Sequence, residues 1–415
     1  MSNDETWRSR LRLGAAILLA IGVYFPGLLD LLGSLRVLVV GIGFVVAALE
    51  LLLSRAALKR RVLLVAGLGA YLAGAVLVIE FVAAQLDDRL FAVNAEHLFV
   101  MLPLFATLGW LVYSSERART YAYVLVGAGV LVAVLAVFES LLGFSLLGRG
   151  ELFALSQREG PARALVGAEN VLVLGATLAA MVPLSLKLPR SWMQLSASIL
   201  LVAGVWATGS RAPAIICTGI VVIQAIPVLR ALLQRFWWVL QIVAAVVLLG
   251  LAYFSIFVWT PFIGGMTGLD YSSNYRGALY SLVPRILLEH PLGYLLQSPP
   301  DGAWMIDSEL HGRFDIARSI DSEVVWAIFG LGWLGLAFFV GALFIVIAAL
   351  KYDVAVGLSG LTLTALGFIL ALHGWDAMGP LWYALVGACA GLVVWPGARS
   401  VLGRATRRSE RELVQ

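Results

Sequence analysis

Four arginines, two carboxylates and a histidine carry most of the chemistry open to this chain. Arg211 lies in "ATGSRAP" (207–213), a tight joint between the apolar runs "LSASILLVAGVW" and "AIICTGIVVIQAI". Arg276 and Arg285 lie in "SSNYRGALYSLVPRILLEHPLG", with His290 near its end, and Arg163 precedes Asn170 in "REGPARALVGAEN". Asp321 and Glu323 stand at the head of "IDSEVVWAIFGLGWLGL". A guanidinium keeps its charge when partly desolvated and grips phosphate with two parallel hydrogen bonds. Arginines fixed on one surface therefore suit an anionic ligand. A carboxylate or imidazole on the same surface can take a proton from a hydroxyl.

Each residue also has a plainer reading. Arg211 could snorkel at a membrane interface, although Pro213 suits the first turn of a following helix. Asp321 could be a helix N-cap, where the helix dipole works against a raised pKa. Glu323, two residues further on, points elsewhere on a helix. His290 could close a helix end, and Arg163 could be an ordinary loop charge, with glycine and proline marking a turn around it. His311, in "DSELHGRFD", adds a second loop histidine.

The elements that must position these groups are membrane helices. Of the 415 residues, 61% are hydrophobic and only 13% are Asp, Glu, Lys or Arg, against roughly half and a quarter in soluble domains. The 42 glycines fit close packing between transmembrane helices. With roughly 20 apolar residues needed per crossing, the sequence predicts an all-α polytopic membrane protein with about twelve spans. They fall near 11–32, 36–53, 62–84, 94–114, 121–144, 168–187, 192–208, 212–229, 236–258, 322–349, 354–373 and 379–395. The first follows Arg8, Arg10 and Arg12 with no small-residue cleavage site, and reads as an uncleaved helix.

Charge sets the orientation. With the N-terminus in the cytoplasm, the inner side collects most of the 29 basic residues, including the only lysines, Lys59, Lys187 and Lys351. Both termini are then cytoplasmic. The whole chain, 1–415, is one transmembrane domain with a large periplasmic loop at 259–321, a smaller outer segment at about 145–167, and a basic cytoplasmic tail at 396–415. Arg211 falls on the outer face, against the usual bias. Outer span ends are acidic at Asp30, Glu80, Asp87, Asp88, Glu96, Glu139 and Asp376, and Glu50 lies near a cytoplasmic end. That pattern offers no charged pair in mid-membrane.

The net charge of +4 records topology and makes no case for nucleic acid. Cys217 and Cys389 lie in apolar runs and read as small buried hydrophobes. There is no GxGxxG, P-loop, HExxH or CxxC, so nucleotide-dependent and zinc chemistry have no support. In the large loop, Leu279, Leu282, Val283, Ile286 and Leu287 repeat at helical spacing and predict an amphipathic helix lying on the membrane or capping the bundle. Pro284 can kink it, and Pro291 and Gly293 in "EHPLG" stop it. Arg276, seven residues before Val283, shares the apolar side, whereas Arg285 projects roughly opposite as a solvated or headgroup charge.

Taken in order, these pieces resemble the O-antigen ligase and Wzy-type polymerase superfamily. "GPARALVGAENVLVLGATLAAMVPL" is similar to the family's Gly…Asn lead into a central span, and "TGSRAP" to its Ser-Arg turn. "NYRGALYSLVPRILLEHPLGYL" is similar to its Arg…Pro-x-Gly segment, and "IDSEVVWAIFGLGWLGLAFF" to its closing helix with paired glycines. The resemblance covers about 150–345.

It implies a metal- and cofactor-independent inverting glycosyltransferase in a bacterial inner membrane, with its active site facing the periplasm. Its donor and acceptor would be undecaprenyl-diphosphate-linked oligosaccharides, with a flippase and a chain-length regulator as partners. The family's diphosphate-binding arginines map to Arg211 and Arg276, with Arg163 and Arg285 as further candidates. Asp321, then Glu323 or His290, would serve as base. Ligases of the family open the closing helix with a His-Asn pair, where this chain has Asp321 and Ser322. That departure favours a polymerase of repeat units over a ligase that transfers finished glycan to lipid A-core or protein. A lipid-glycan flippase is the alternative from another class.

Overall fold

The computed structural model describes residues 3–25, 35–54, 56–113, 118–144, 163–166, 168, 170–253, 271–308, 312–315, 320–374 and 378–394. The tail 396–415, His311, Asp30, Asp376 and the 145–162 and 254–270 segments lie outside the described residues.

Every apolar stretch read from the sequence contains helix. Three helices, Leu58–Leu86, Arg89–Tyr113 and Ala118–Leu142, are each long and apolar enough to cross a membrane. The shorter apolar helices include Val171–Lys187, Ser191–Ala207, Trp237–Tyr253, Trp333–Ala349, Val354–Leu366 and Met378–Val394. Large apolar side chains such as Leu77, Phe81, Ile215 and Leu249 are exposed, as expected of surfaces meant for lipid. The two cysteines are free and buried. The strands among the described residues are one antiparallel hairpin in the large loop, Met305–Ser308 with Gly312–Asp315.

Backbones pack closely where glycine permits it. A Cβ on Gly109 would overlap the carbonyl oxygen of Ala384, and one on Gly387 would overlap that of Ala106. These reciprocal contacts lock the antiparallel helices Leu102–Tyr113 and Met378–Val394 together.

Two expected spans are broken. The stretch 212–229 divides into helices Arg211–Ala225 and Pro227–Arg235, bent by 99°. Pro227 brings no N–H and drives Ile226 to extended backbone (φ −106°, ψ 101°), so the helix cannot continue. The stretch 322–349 divides into Glu323–Leu331 and Trp333–Ala349 at Gly332, whose φ of +58° favours glycine. A Cβ on Gly335 would overlap the Ala327 carbonyl. Residues eight apart in a straight helix sit about 12 Å apart along its axis, so the two halves fold towards each other. The freed carbonyls of Phe329 and Gly330 accept the N–H groups of Tyr294 and Leu296. The stretch 354–373 is also shorter as a helix, ending at Leu366 before a 3₁₀ turn at Leu372–Gly374.

The expected loop helix is present as two pieces. Tyr271–Ser281 meets Val283–Glu289 at Leu282, and Pro284 sits in the first turn of the second piece, where its missing N–H costs nothing. Leu279, Ile286 and Leu287 are buried, so the apolar side packs on protein.

Candidate functional site

The central pair of helices shows which groups share an end of the bundle. Lys187 pairs with Asp353, and Ser359 Oγ donates to the Ala180 carbonyl. These two pairs run in opposite sequence directions, so Val171–Leu184 and Val354–Leu366 are antiparallel. The start of the first helix therefore lies level with the end of the second. Ser210 Oγ donates to the Val171 carbonyl at 3.0 Å, which fixes the "TGSRAP" turn at this end. Tyr280 donates to the Phe368 carbonyl at 2.7 Å, which fixes the loop helix at the same end. Arg211 and Arg276, 65 positions apart by number, thus belong to one end of the molecule.

Arg211 is exposed at the first position of its helix. Arg163 reaches the same turn by a route the sequence did not reveal. Glu139, fully buried, accepts the backbone N–H groups of Leu165 (2.6 Å) and Val166 (2.7 Å). The Ala164 N–H donates to the Ala207 carbonyl at 3.0 Å. This staple lays the Arg163 side chain across Gly209, with Nε 3.1 Å from where a Cβ would stand. Gly209 (φ +67°) leaves the room that makes this possible. Two guanidinium-bearing residues therefore flank one turn.

Arg276 faces Asp321, with Nη2 3.4 Å from Oδ2 and side-chain exposures of 25% and 37%. Its Nε is shielded and has no hydrogen-bond partner among the described residues. Asp321 is not the helix cap that its position suggested. Ser322 takes that role, accepting from the Val325 N–H, which leaves the Asp321 carboxylate for the site. Burial raises the Asp321 pKa above the usual carboxylate value, with Arg276 opposing the shift. Raising it improves a base that must accept a proton near neutral pH. Tyr280 braces this corner through hydrogen bonds to Phe368 and, at 3.1 Å, to Ser322 Oγ. Burial pushes its phenol pKa up, so it stays a neutral donor.

Glu323 is turned into the protein and paired there. It is 2% exposed, and its Oε2 accepts from the His373 backbone N–H (2.9 Å) and meets His373 Nδ1 at 2.8 Å. The Glu323 N–H reaches back to the carbonyls of Gly367 and Leu370. Trp326 stacks on His373 at 3.6 Å, and His97 meets His373 edge-on at 5.7 Å. His97 opens a π-helical turn, His97–Met101, and neither of its ring nitrogens has a hydrogen-bond partner among the described residues. The sequence offered no sign of this buried Glu–His pair, because Glu323 and His373 lie 50 residues apart.

His290 closes a helix, as its plainer reading had it. Its N–H donates to Ile286, and its ring lies 4.5 Å from that of Tyr294 and 6.4 Å from that of Trp304. Arg285 is exposed, paired with Glu289 at 2.8 Å and set 5.0 Å over the Trp304 ring. The Glu289 contact raises its pKa further. Both residues belong to this aromatic patch rather than to the Arg276–Asp321 corner.

Among the described residues, no cluster of His, Cys, Asp and Glu has the geometry to hold a metal ion. No family model, no curated protein and no solved structure matches the chain.

Proposed function

We propose that this membrane protein polymerises oligosaccharide repeat units carried on polyprenyl diphosphate, by inverting glycosyl transfer at its periplasmic face. The proposal includes the twelve-span inner-membrane layout with cytoplasmic termini. The observation that carries it is the Arg276–Asp321 pair, set at the same end of the bundle as the arginine-flanked turn at 207–211. Cations and a carboxylate of raised pKa on one surface are what an anionic leaving group and a hydroxyl nucleophile require.

The donor diphosphate is gripped by Arg211 and Arg276, with Arg163 beside them. The acceptor hydroxyl attacks C1 of the donor sugar while the C1–O bond to the diphosphate breaks. The new glycosidic bond forms on the opposite face, the hydroxyl proton passes to Asp321, and the carrier diphosphate leaves with the bonding electrons. Negative charge on the diphosphate grows as the bond breaks, so fixed guanidinium groups stabilise the transition state more than the ground state. Donor binding also prepares the base. A diphosphate drawing Arg276 away from Asp321 removes the cation that holds its pKa down, leaving burial to raise it.

The test is the lipid-linked glycan pool of a deletion strain. Single repeat units accumulating on the carrier support a polymerase, whereas long chains on the carrier identify a ligase and overturn the proposal. Reconstitution with lipid-linked donor and no gradient separates polymer growth from flipping.

A further inference from the structure

The opposite end of the bundle holds a second site. A cleft of about 420 Å³ opens there between Leu186, Lys187, the Pro227–Arg235 helix and the 352–355 turn. Pro227, Arg230, Ala231 and Gln234 line it. Their spacing, i, i+3, i+4 and i+7, makes them one face of that nine-residue helix. The other face carries Val228 and Leu232, 65% and 42% exposed, so the helix buries none of its own residues. A bent-off helix with a cationic side on a cleft and bare aliphatic side chains opposite has the form of an interfacial element.

The cleft is electropositive. Asp353 is already committed, through one oxygen to Lys187 and through the other to the N–H groups of Ala355 and Val356. Among the described residues Arg230 has no ion-pair partner, and its Nε is shielded without a hydrogen-bond partner. Aromatic rings border the area, with Lys351 Nζ 5.9 Å from the Trp237 ring and 5.4 Å from the Tyr352 ring. Trp and Tyr beside cations mark headgroup depth in membrane proteins.

We propose that this cleft binds the phosphate of an anionic glycerophospholipid. Arg230 and the N–H bonds of Lys187 that Asp353 leaves unused hold the headgroup, while Val228 and Leu232 on the far side of the helix anchor it in the lipid. The site is independent of the glycosyl-transfer reading, since it uses none of those residues and lies at the other end of the bundle.

Native mass spectrometry of the full chain, released from detergent in the presence of phosphatidylglycerol or phosphatidylcholine, tests this. Phosphatidylglycerol should be retained in preference. Arg230→Gln should weaken retention by about fivefold, the worth of one cation near an anionic headgroup. Arg230→Lys should keep most of it, which separates a lost charge from a lost fold. Arg60→Gln, at an exposed arginine elsewhere, should change nothing. Equal retention of the two lipids, or equal losses in R230Q and R60Q, overturns the site. Displacement of phosphatidylglycerol by an equal concentration of inorganic phosphate would show a soluble-anion site and overturn the lipid assignment.

Discussion

Arg276 and Asp321 face each other across 3.4 Å, although 45 residues separate them. Tyr280 and Ser322, each one helical turn or one residue away, are themselves hydrogen-bonded, so the ion pair is braced from behind. The pair is long for a salt bridge and partly open to solvent, and as a stabilising contact it is worth little. On the proposed reading, its value is in poising a carboxylate beside a guanidinium that takes the donor diphosphate.

If the arginines form a diphosphate clamp, Arg211→Ala and Arg276→Ala should each lower polymer formation by about 10²–10³-fold, the loss of one preorganised donor. Lysine at position 276 should restore only part of the rate, because an ammonium cannot make the bidentate contact. Chain-length analysis of surface glycan, normalised to membrane protein level, reads the outcome. Full yield from both alanine variants would remove the clamp.

The Asp321 carboxyl should govern the pH profile. Burial raises its pKa, so the proton is lost at a higher pH than from an ordinary aspartate. The rate should fall as pH drops through that raised value and reach a plateau above it, where the base is ionised. Asp321→Asn should lose about 10²–10⁴-fold in rate and flatten that limb. In vitro turnover of lipid-linked donor across pH provides the measurement. An unchanged profile in D321N would assign the proton to another group.

Glu323 should matter for stability rather than for chemistry. Glu323→Ala strands the His373 N–H and ring nitrogen inside the protein, at about 1–3 kcal/mol for each buried group left unpaired. Glu323→Gln keeps an acceptor and should lose less. Thermal unfolding in detergent should rank wild type above Gln above Ala, while activity per folded molecule changes far less than in D321N.

Gly109→Ala and Gly387→Ala should both destabilise, because the added methyl overlaps a backbone carbonyl that cannot rotate away. A cost of about 1–3 kcal/mol is typical of such overpacking. Gly67→Ala, where nothing lies within 4 Å, is the matched control. Comparable melting of all three variants would count against the close helix contact.

Apolar runs, the interrupting prolines and the phase of Leu279, Ile286 and Leu287 were enough to locate the helices, since each reports burial or backbone geometry within a few residues. The helical pattern of the loop segment survives as a buried apolar side because 3.6-residue periodicity is a local property. The breaks at Pro227 and Gly332 were harder to read. An apolar stretch looks the same whether it runs straight or folds back, and the bend depends on carbonyls of other segments, such as Phe329, finding donors at Tyr294.

Residue chemistry singled out Arg211, Arg276, Arg163 and Asp321 from the sequence alone, because charge is conspicuous in a chain this apolar. Tertiary structure decided what each could do. It gave the cap to Ser322 and so freed Asp321. It sent Glu323, the first helical residue, inward to His373, while Asp321 lies before the Ser322 cap and outside the helix. It used Glu139 to carry Arg163 over Gly209. The last two outcomes are not encoded in neighbouring residues. Each follows from the antiparallel packing of helices far apart in sequence, which alone settles which polar groups meet and which are left facing outward.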